Sequence, residues 1–221
     1  MILSGPPAER REKMGKLQIK KYVLGMIRTN TYLLVNTDTK EAIIIDPADS
    51  PELLEQKVTE LCVKPVGILL THGHFDHIGA AKALGERYQI PIGAGKEELD
   101  VITGEENMSA QFGGFFTVVP DCLYEDQEVV RMAGFQIQVL HTPGHTRGGV
   151  CYYLPEKAVL FAGDTLFCES VGRSDFPTGS MAVLVRSVRG LLKMLPEETV
   201  VYPGHGPETT IAHEKEYNPF V

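Results

Sequence analysis

Four short apolar runs in this chain each stop at a turn built from glycine and from residues with imidazole or carboxylate side chains. That repetition restricts what the chain can fold into more than any other feature. GILL runs into THGHFDH (67–77), QVL into HTPGH (138–145), VLF into AGD (159–164) and TVV into YPGH (199–205). Short apolar runs bounded by turn residues read as strands of a buried sheet. If the four runs are neighbouring strands, their carboxyl ends set His72, His74, Asp76, His77, His145, Asp164 and His205 along one edge, where loops build sites on a rigid scaffold. Five of the seven histidines in the chain belong to this set, so the imidazoles are concentrated at the turns. Glycine and small polar residues beside them permit sharp bends close to a cation.

The rest of the chain supports a layered fold. Gln18–Leu24, Thr31–Asn36 and Ala42–Asp46 read as a meander entering a buried sheet. Ser50 and Pro51 are expected to cap and start a helix over 51–62, with Leu53, Leu54, Val58 and Leu61 on its apolar face. Val66–Leu70 is another strand, and Ala81, Leu84 and Tyr88 suggest a helix from Ile78 to about Gln89. In the second half Val129–Met132, Phe135–Leu140, Val150–Leu154, Ala158–Phe161 and Thr199–Tyr202 read as strands and Met181–Leu195 as a helix. Strands then helices, twice over, predict two sheets packed together with helices outside. With 221 residues, 43% of them hydrophobic, the chain can bury roughly 70% of its unfolded surface in one core. Residues 1–16 are expected to be a loose extension, with Met14 as the functional start, ahead of a single domain over 17–221.

Composition removes several function classes. A net charge of −8 repels phosphate backbones and anionic headgroups, so neither nucleic acid nor a membrane surface is an expected partner. The four cysteines form no CxxC pair and read as reduced thiols rather than a disulfide or zinc-ribbon framework. The opening residues lack the apolar centre of a secretory signal, and no apolar run approaches spanning length, so a cytoplasmic location is expected.

Imidazole nitrogens and carboxylate oxygens suit Zn²⁺ and also accept Fe or Mn, while the lack of a thiolate cluster argues against a closed structural site. His72 and His74 can converge on one ion, Asp76 and His77 can swing to a second, and Asp164 has two oxygens with which to bridge both. Two divalent ions roughly 3.5–4 Å apart can share a water and lower its pKa from 15.7 toward about 7, which makes hydroxide the expected nucleophile. The net positive charge left at such a site would attract an anionic substrate and stabilise a developing oxyanion.

THGHFDHIG, HTPGHT, FAGDTLF and YPGH resemble the metal motifs of the metallo-β-lactamase superfamily, glyoxalase II branch, from about Leu17 to the C-terminus. The resemblance implies an α+β, four-layer αββα sandwich. It implies one metal bound by His72, His74 and His145, a second bound by Asp76, His77 and His205, and Asp164 as the bridge. GDTLF followed by VGRSDFPTGS is most similar to short single-domain hydroxyacylglutathione thioesterases, which implies hydrolysis of an anionic small-molecule thioester or ester through the bridging hydroxide. The C-terminal helical domain that helps grip glutathione in the long enzymes is absent, and PGHGPET replaces a PGHEYT-like segment. Arg173 stands where the family often has a basic substrate contact. The bridging Asp164 disfavours antibiotic hydrolysis.

For the remaining residues the bland reading is stronger. His141 and His213 are expected to be structural or to support a ligand, Asp46 to orient a ligand imidazole through its other nitrogen, and Cys168 to fill apolar space. Ser174 and Asp175 are weaker substrate candidates than Arg173, and the Leu184, Val188, Leu191, Leu192 and Leu195 stripe is core. Competing functions on the same scaffold are a mononuclear iron persulfide dioxygenase, a lactonase or phosphodiesterase, and a non-catalytic module stabilised by metal.

Overall fold

Both faces of the central strands are apolar, and the reason is visible once the faces are followed separately. The computed structural model describes residues 15–112 and 114–221; the expectations for residues 1–14, including a start at Met14, lie outside them. Of the expected loose segment, Gly15 is buried, and the Lys16 carbonyl accepts the Thr37 amide at 2.9 Å.

Strands β1 (Leu17–Leu24), β2 (Thr29–Asn36) and β3 (Glu41–Ile45) form the expected antiparallel meander. Helix α1 (Pro51–Leu61) crosses over to β4 (Lys64–Leu70), which lies parallel to β3. Helices α2 (Phe75–Ile78) and α3 (Ala81–Tyr88) lead to β5 (Ile92–Gly95), α4 (Leu99–Thr103) and β6 (Cys122–Tyr124), completing a six-stranded sheet in sequential order. The second half contributes β7 (Val129–Met132), β8 (Phe135–His141), β9 (Val150–Leu154), β10 (Val159–Gly163), a small hairpin of β11 (Leu166–Phe167) and β12 (Ser170–Val171), α5 (Met181–Met194), β13 (Val200–Pro203), β14 (Thr209–Thr210) and α6 (Ile211–Tyr217). Its sheet has the order β14-β13-β10-β9-β8-β7.

Three apolar layers hold this sandwich together. Leu33, Val35, Ile44, Ile68 and Leu70 face outward from the first sheet onto α1 and α3, meeting Leu54, Val58 and Leu84. Tyr32, Leu34, Ile43, Ile45 and Leu69 face inward and meet Val139, Val150, Tyr152 and Phe161 of the second sheet. Cys151, Tyr153, Leu160 and Val201 face α5, whose Leu184, Val188, Leu191, Leu192 and Leu195 form the expected stripe. Strands with a helix layer on one side and a sheet on the other need apolar side chains at consecutive positions, and AIIID is continuous for that reason.

Two local expectations are corrected. Ser50 precedes α1 but makes no side-chain cap; its hydroxyl turns back to Asp49 Oδ1 at 3.0 Å. The helix expected from Ile78 begins only at Ala81, Ile78 ending α2 instead, because Gly79 packs against the Ala48 carbonyl and the Ala80 amide donates to Pro47 O at 2.9 Å. A Cβ at position 79 would collide with that carbonyl, so the close approach requires glycine. Strands β5 and β6 carried no clear sequence signal. They have four and three residues, and their pairing with β4 and with each other holds them in the sheet.

Candidate metal centre

All seven residues singled out in the sequence come together, though not along one sheet. Only β10 and β13 are neighbours; β9 separates β8 from β10, and β4 belongs to the other sheet. The carboxyl ends meet because the sandwich is laced across at this end. Tyr152 Oη donates to Leu70 O at 2.8 Å, Tyr32 Oη to Pro203 O at 2.7 Å, the Val150 amide to Thr71 O at 2.8 Å and the Asn30 amide to Gly204 O at 2.7 Å. Buried polar bonds of this kind fix the register of two otherwise apolar faces.

His72 and His74 follow β4, Asp76 and His77 sit in the single turn of α2, His145 lies in the β8–β9 loop, and Asp164 and His205 follow β10 and β13. His145 Nε2 is 2.9 Å from His74 Nδ1 and 3.2 Å from His72 Nε2. Asp76 Oδ2 is 3.3 Å from both His77 Nε2 and His205 Nε2. Asp164 stands between the two groups, with Oδ2 3.5 Å from His145 Nε2 and 3.6 Å from His205 Nε2, and Oδ1 3.4 Å from His77 Nε2. A tetrahedral ion with ligands at 2.0–2.1 Å separates those ligands by about 3.3 Å, so the observed separations suit a cation at each group. His77 Nε2 and Asp164 Oδ1 are buried without a hydrogen-bond partner, a costly arrangement that a cation between them would relieve.

The electrostatics point the same way. Burial first, and the surrounding imidazoles second, push His72 well below the usual histidine range and His74 down to about 3, leaving both neutral with lone pairs free. Burial alone would raise the Asp164 carboxyl, but His77, His145 and His205 outweigh it and hold the group at about 2. Asp76 is likewise depressed, against burial, by the charge of His77, by the His205 imidazole 3.3 Å away and by the hydrogen bond from Thr29. Burial opposes protonation of His77, yet Asp76, Asp164 and Asp46 raise it well above its ordinary value. Without a metal, a proton on His77 takes the place of positive charge among three carboxylates, and a bound cation would release it.

The supporting contacts were partly legible. Asp46, in a left-handed conformation at φ 47° just past β3, accepts Thr71 N at 2.7 Å and Thr71 Oγ1 at 2.6 Å and holds His77 Nδ1 at 2.9 Å, the orienting contact expected of it. The Arg173 carbonyl does the same for His145 Nδ1 at 2.6 Å. Gly204 is required by packing, since a Cβ there would run into Asp164 Oδ1 and His77. Two residues were missed. Thr29 Oγ1 donates to Asp76 Oδ2 at 2.6 Å, and the fully buried Glu98 accepts the Gly73 amide at 2.8 Å and the Gly148 amide at 2.9 Å, tying the two histidine turns together. No local pattern marks either, because each acts across a large sequence separation.

A model of the metallo-beta-lactamase superfamily matches residues 24–205. The chain belongs to the metallo-β-lactamase superfamily. Hydroxyacylglutathione hydrolase GloC of Haemophilus influenzae is 37% identical over 192 residues, which cover 85% of this chain and 91% of that protein. The crystal structure of BLEG-1 B3 metallo-beta-lactamase is 40% identical with a TM-score of 0.86, covering 92% of this chain and 99% of its own. That of TTHA1623 in a di-iron-bound form is 38% identical with a TM-score of 0.80, covering 91% and 100%.

Beside the cluster of this superfamily member lies a cavity of about 340 Å³ that includes Arg173 and four phenylalanines in its walls. Arg173 itself is exposed; its guanidinium binds both Asp175 oxygens at 2.9 and 2.8 Å and lies 4.6 Å from the Phe176 ring centre. His141 contacts Arg147 O and His213 contacts Glu169, both apart from the seven. Cys168 lies near His213 and Glu214, but Glu214 already accepts from Thr209, Glu169 and Asn218 and so anchors α6. Among the described residues no helix is long and apolar enough to cross a membrane.

Proposed function

We propose that this chain is a hydrolase acting on a thioester or related acyl bond of a small molecule, with two divalent ions as cofactor, zinc or iron. His72, His74 and His145 would hold one ion, Asp76, His77 and His205 the other, with Asp164 between them. Bound there, the ions supply Lewis acidity toward the substrate carbonyl and a water acidic enough to attack near neutral pH. The chain's own groups set up that chemistry. Asp46 and the Arg173 carbonyl accept from Nδ1 of His77 and His145, which aims both Nε2 atoms at the cluster, that of His77 free to bind once a cation displaces its proton. Burial keeps His72 and His74 unprotonated and Asp76 and Asp164 stay ionised, while His77 would give up its extra proton to the arriving cation.

The observation that carries this reading is the convergence of seven donors at tetrahedral-edge separations, open to a cavity rather than sealed. The likeness to GloC supports a thioester as the bond cleaved. The likeness to BLEG-1 favours a second reading, hydrolysis of a cyclic amide or lactone by the same groups. Metal analysis of purified protein, combined with assays on S-lactoylglutathione, simple acyl thioesters, a lactone and a β-lactam, tests both. Two metals per chain with thioester turnover is the expected result; one iron per chain with oxygen uptake, or no cleavage of any acyl substrate by fully loaded protein, would defeat the proposal.

A further inference from the structure

The walls of the site differ sharply from its floor. Above the cluster the cavity is bounded by Ile27, Met108, Phe112, Phe167 and Phe176. The Phe75 and Phe112 rings stack at 4.3 Å and 12°, and they also form a wall of a second, adjacent cavity of about 260 Å³ lined by Met26, Pro51 and Phe116. At this mouth Met26 is 74% exposed, Phe112 45% and Phe116 38%. Large apolar side chains gathered at one opening are the mark of a surface that receives something apolar.

Charge narrows the choice of occupant. Histidines apart, Arg173 is the one cation among the described residues lining the two cavities, and Asp175 already engages it through both oxygens. An arriving carboxylate would exchange one exposed ion pair for another, with little gain. Asp49 adds an anion on the wall of the second cavity, and the chain carries −8 overall. Glutathione brings two carboxylates, and these walls offer neither a free guanidinium nor a free ammonium.

Resting on the hydrolase reading above, we infer that the true substrates are neutral thioesters or esters whose chain beyond the reacting carbonyl is apolar, laid across Phe112 toward Met26 and Phe116, rather than thioesters of an anionic peptide thiol. This replaces the expectation of an anionic substrate. The observations behind it are the two adjacent cavities, which share Ile27, Phe75, Asp76 and Phe112 as walls, the first of them opening on the metal cluster, and the lack of a free cation in their described walls.

The test is a ladder of N-acetylcysteamine thioesters from acetyl to octanoyl, run on metal-loaded protein beside S-lactoylglutathione, together with displacement of the neutral fluorophore N-phenyl-1-naphthylamine. Each added methylene is expected to raise kcat/KM by roughly three- to fourfold until the groove is filled. S-Lactoylglutathione should fall at or below the acetyl compound. Holding the acyl group at acetyl and lengthening a neutral alkyl thiol shows which side of the carbonyl occupies the groove. Phe112→Ala should reduce the increment to less than twofold per methylene, and octanoyl thioester, but not S-lactoylglutathione, should displace the fluorophore. A flat ladder, or a preference for S-lactoylglutathione, overturns the inference and leaves the hydrolase reading standing. A flat ladder with a dimer that Phe116→Ala dissociates would overturn it by assigning the patch to a second copy. If no thioester or other acyl substrate is cleaved the hydrolase reading fails, while chain-length-dependent displacement of the fluorophore would still support an apolar groove.

Discussion

Replacing Glu98 by glutamine should change the pH dependence of folding in a way that can be worked out beforehand. Burial pushes the Glu98 carboxyl up from 4.5 to about 7, against the opposing hydrogen bonds from Gly73 and Gly148. Between those two values the folded protein holds more protons than the unfolded chain, so stability falls as pH rises through that window and levels off above it. At about 1.4 kcal/mol per pKa unit the loss is about 3 kcal/mol. Glutamine stays neutral, but its amide presents one acceptor and one donor where two backbone N–H groups converge. One of them loses its partner, at about 1–3 kcal/mol at every pH. In urea unfolding of chelator-treated proteins, the wild type should therefore be the more stable near pH 5, with the difference vanishing or reversing near pH 8. Other titrating groups are common to both chains and cancel in that difference. A gap between the two proteins that is constant from pH 5 to 8 would refute the reasoning.

Three further outcomes are expected. Asp46→Asn places an amide N–H where His77 Nδ1 needs an acceptor, favouring the tautomer whose Nε2 carries the proton; metal affinity by competition with a chelator should drop about 10- to 100-fold with little change in the far-ultraviolet circular dichroism. Gly204→Ala pushes a methyl into Asp164 Oδ1 and His77, and equilibrium dialysis should show fewer than two ions bound at concentrations that saturate the wild type. Removing the metals should lower the melting temperature: one ion present at a thousandfold over its Kd contributes about 4 kcal/mol, or roughly 8–16 °C for a chain of this size, and an unchanged melting curve would deny the centre.

The strands and outer helices were legible because burial on two faces leaves a local trace. AIIID, GILL and the leucine stripe of α5 each report their own layer within a few residues. The seven polar groups were legible for the same reason, since each lies in the short segment that follows an apolar run. Partnerships between distant segments leave no such trace. That β4 meets β10 and β13 from across the sandwich rather than from within one sheet depends on Tyr32, Tyr152 and Asn30 bonding to backbone far along the chain. Glu98 is unremarkable in KEELD, and only tertiary structure places its carboxylate between Gly73 and Gly148. Arg173 reads as a free cation until Asp175 and Phe176 are seen around it, and the apolar mouth exists only where Met26 and Ile27 approach Phe112 and Phe116. The sequence determined which chemical groups stand at the strand ends, because local patterning encodes burial. The tertiary structure decided which of them face one another and what surrounds them, because that depends on packing between segments far apart in the chain.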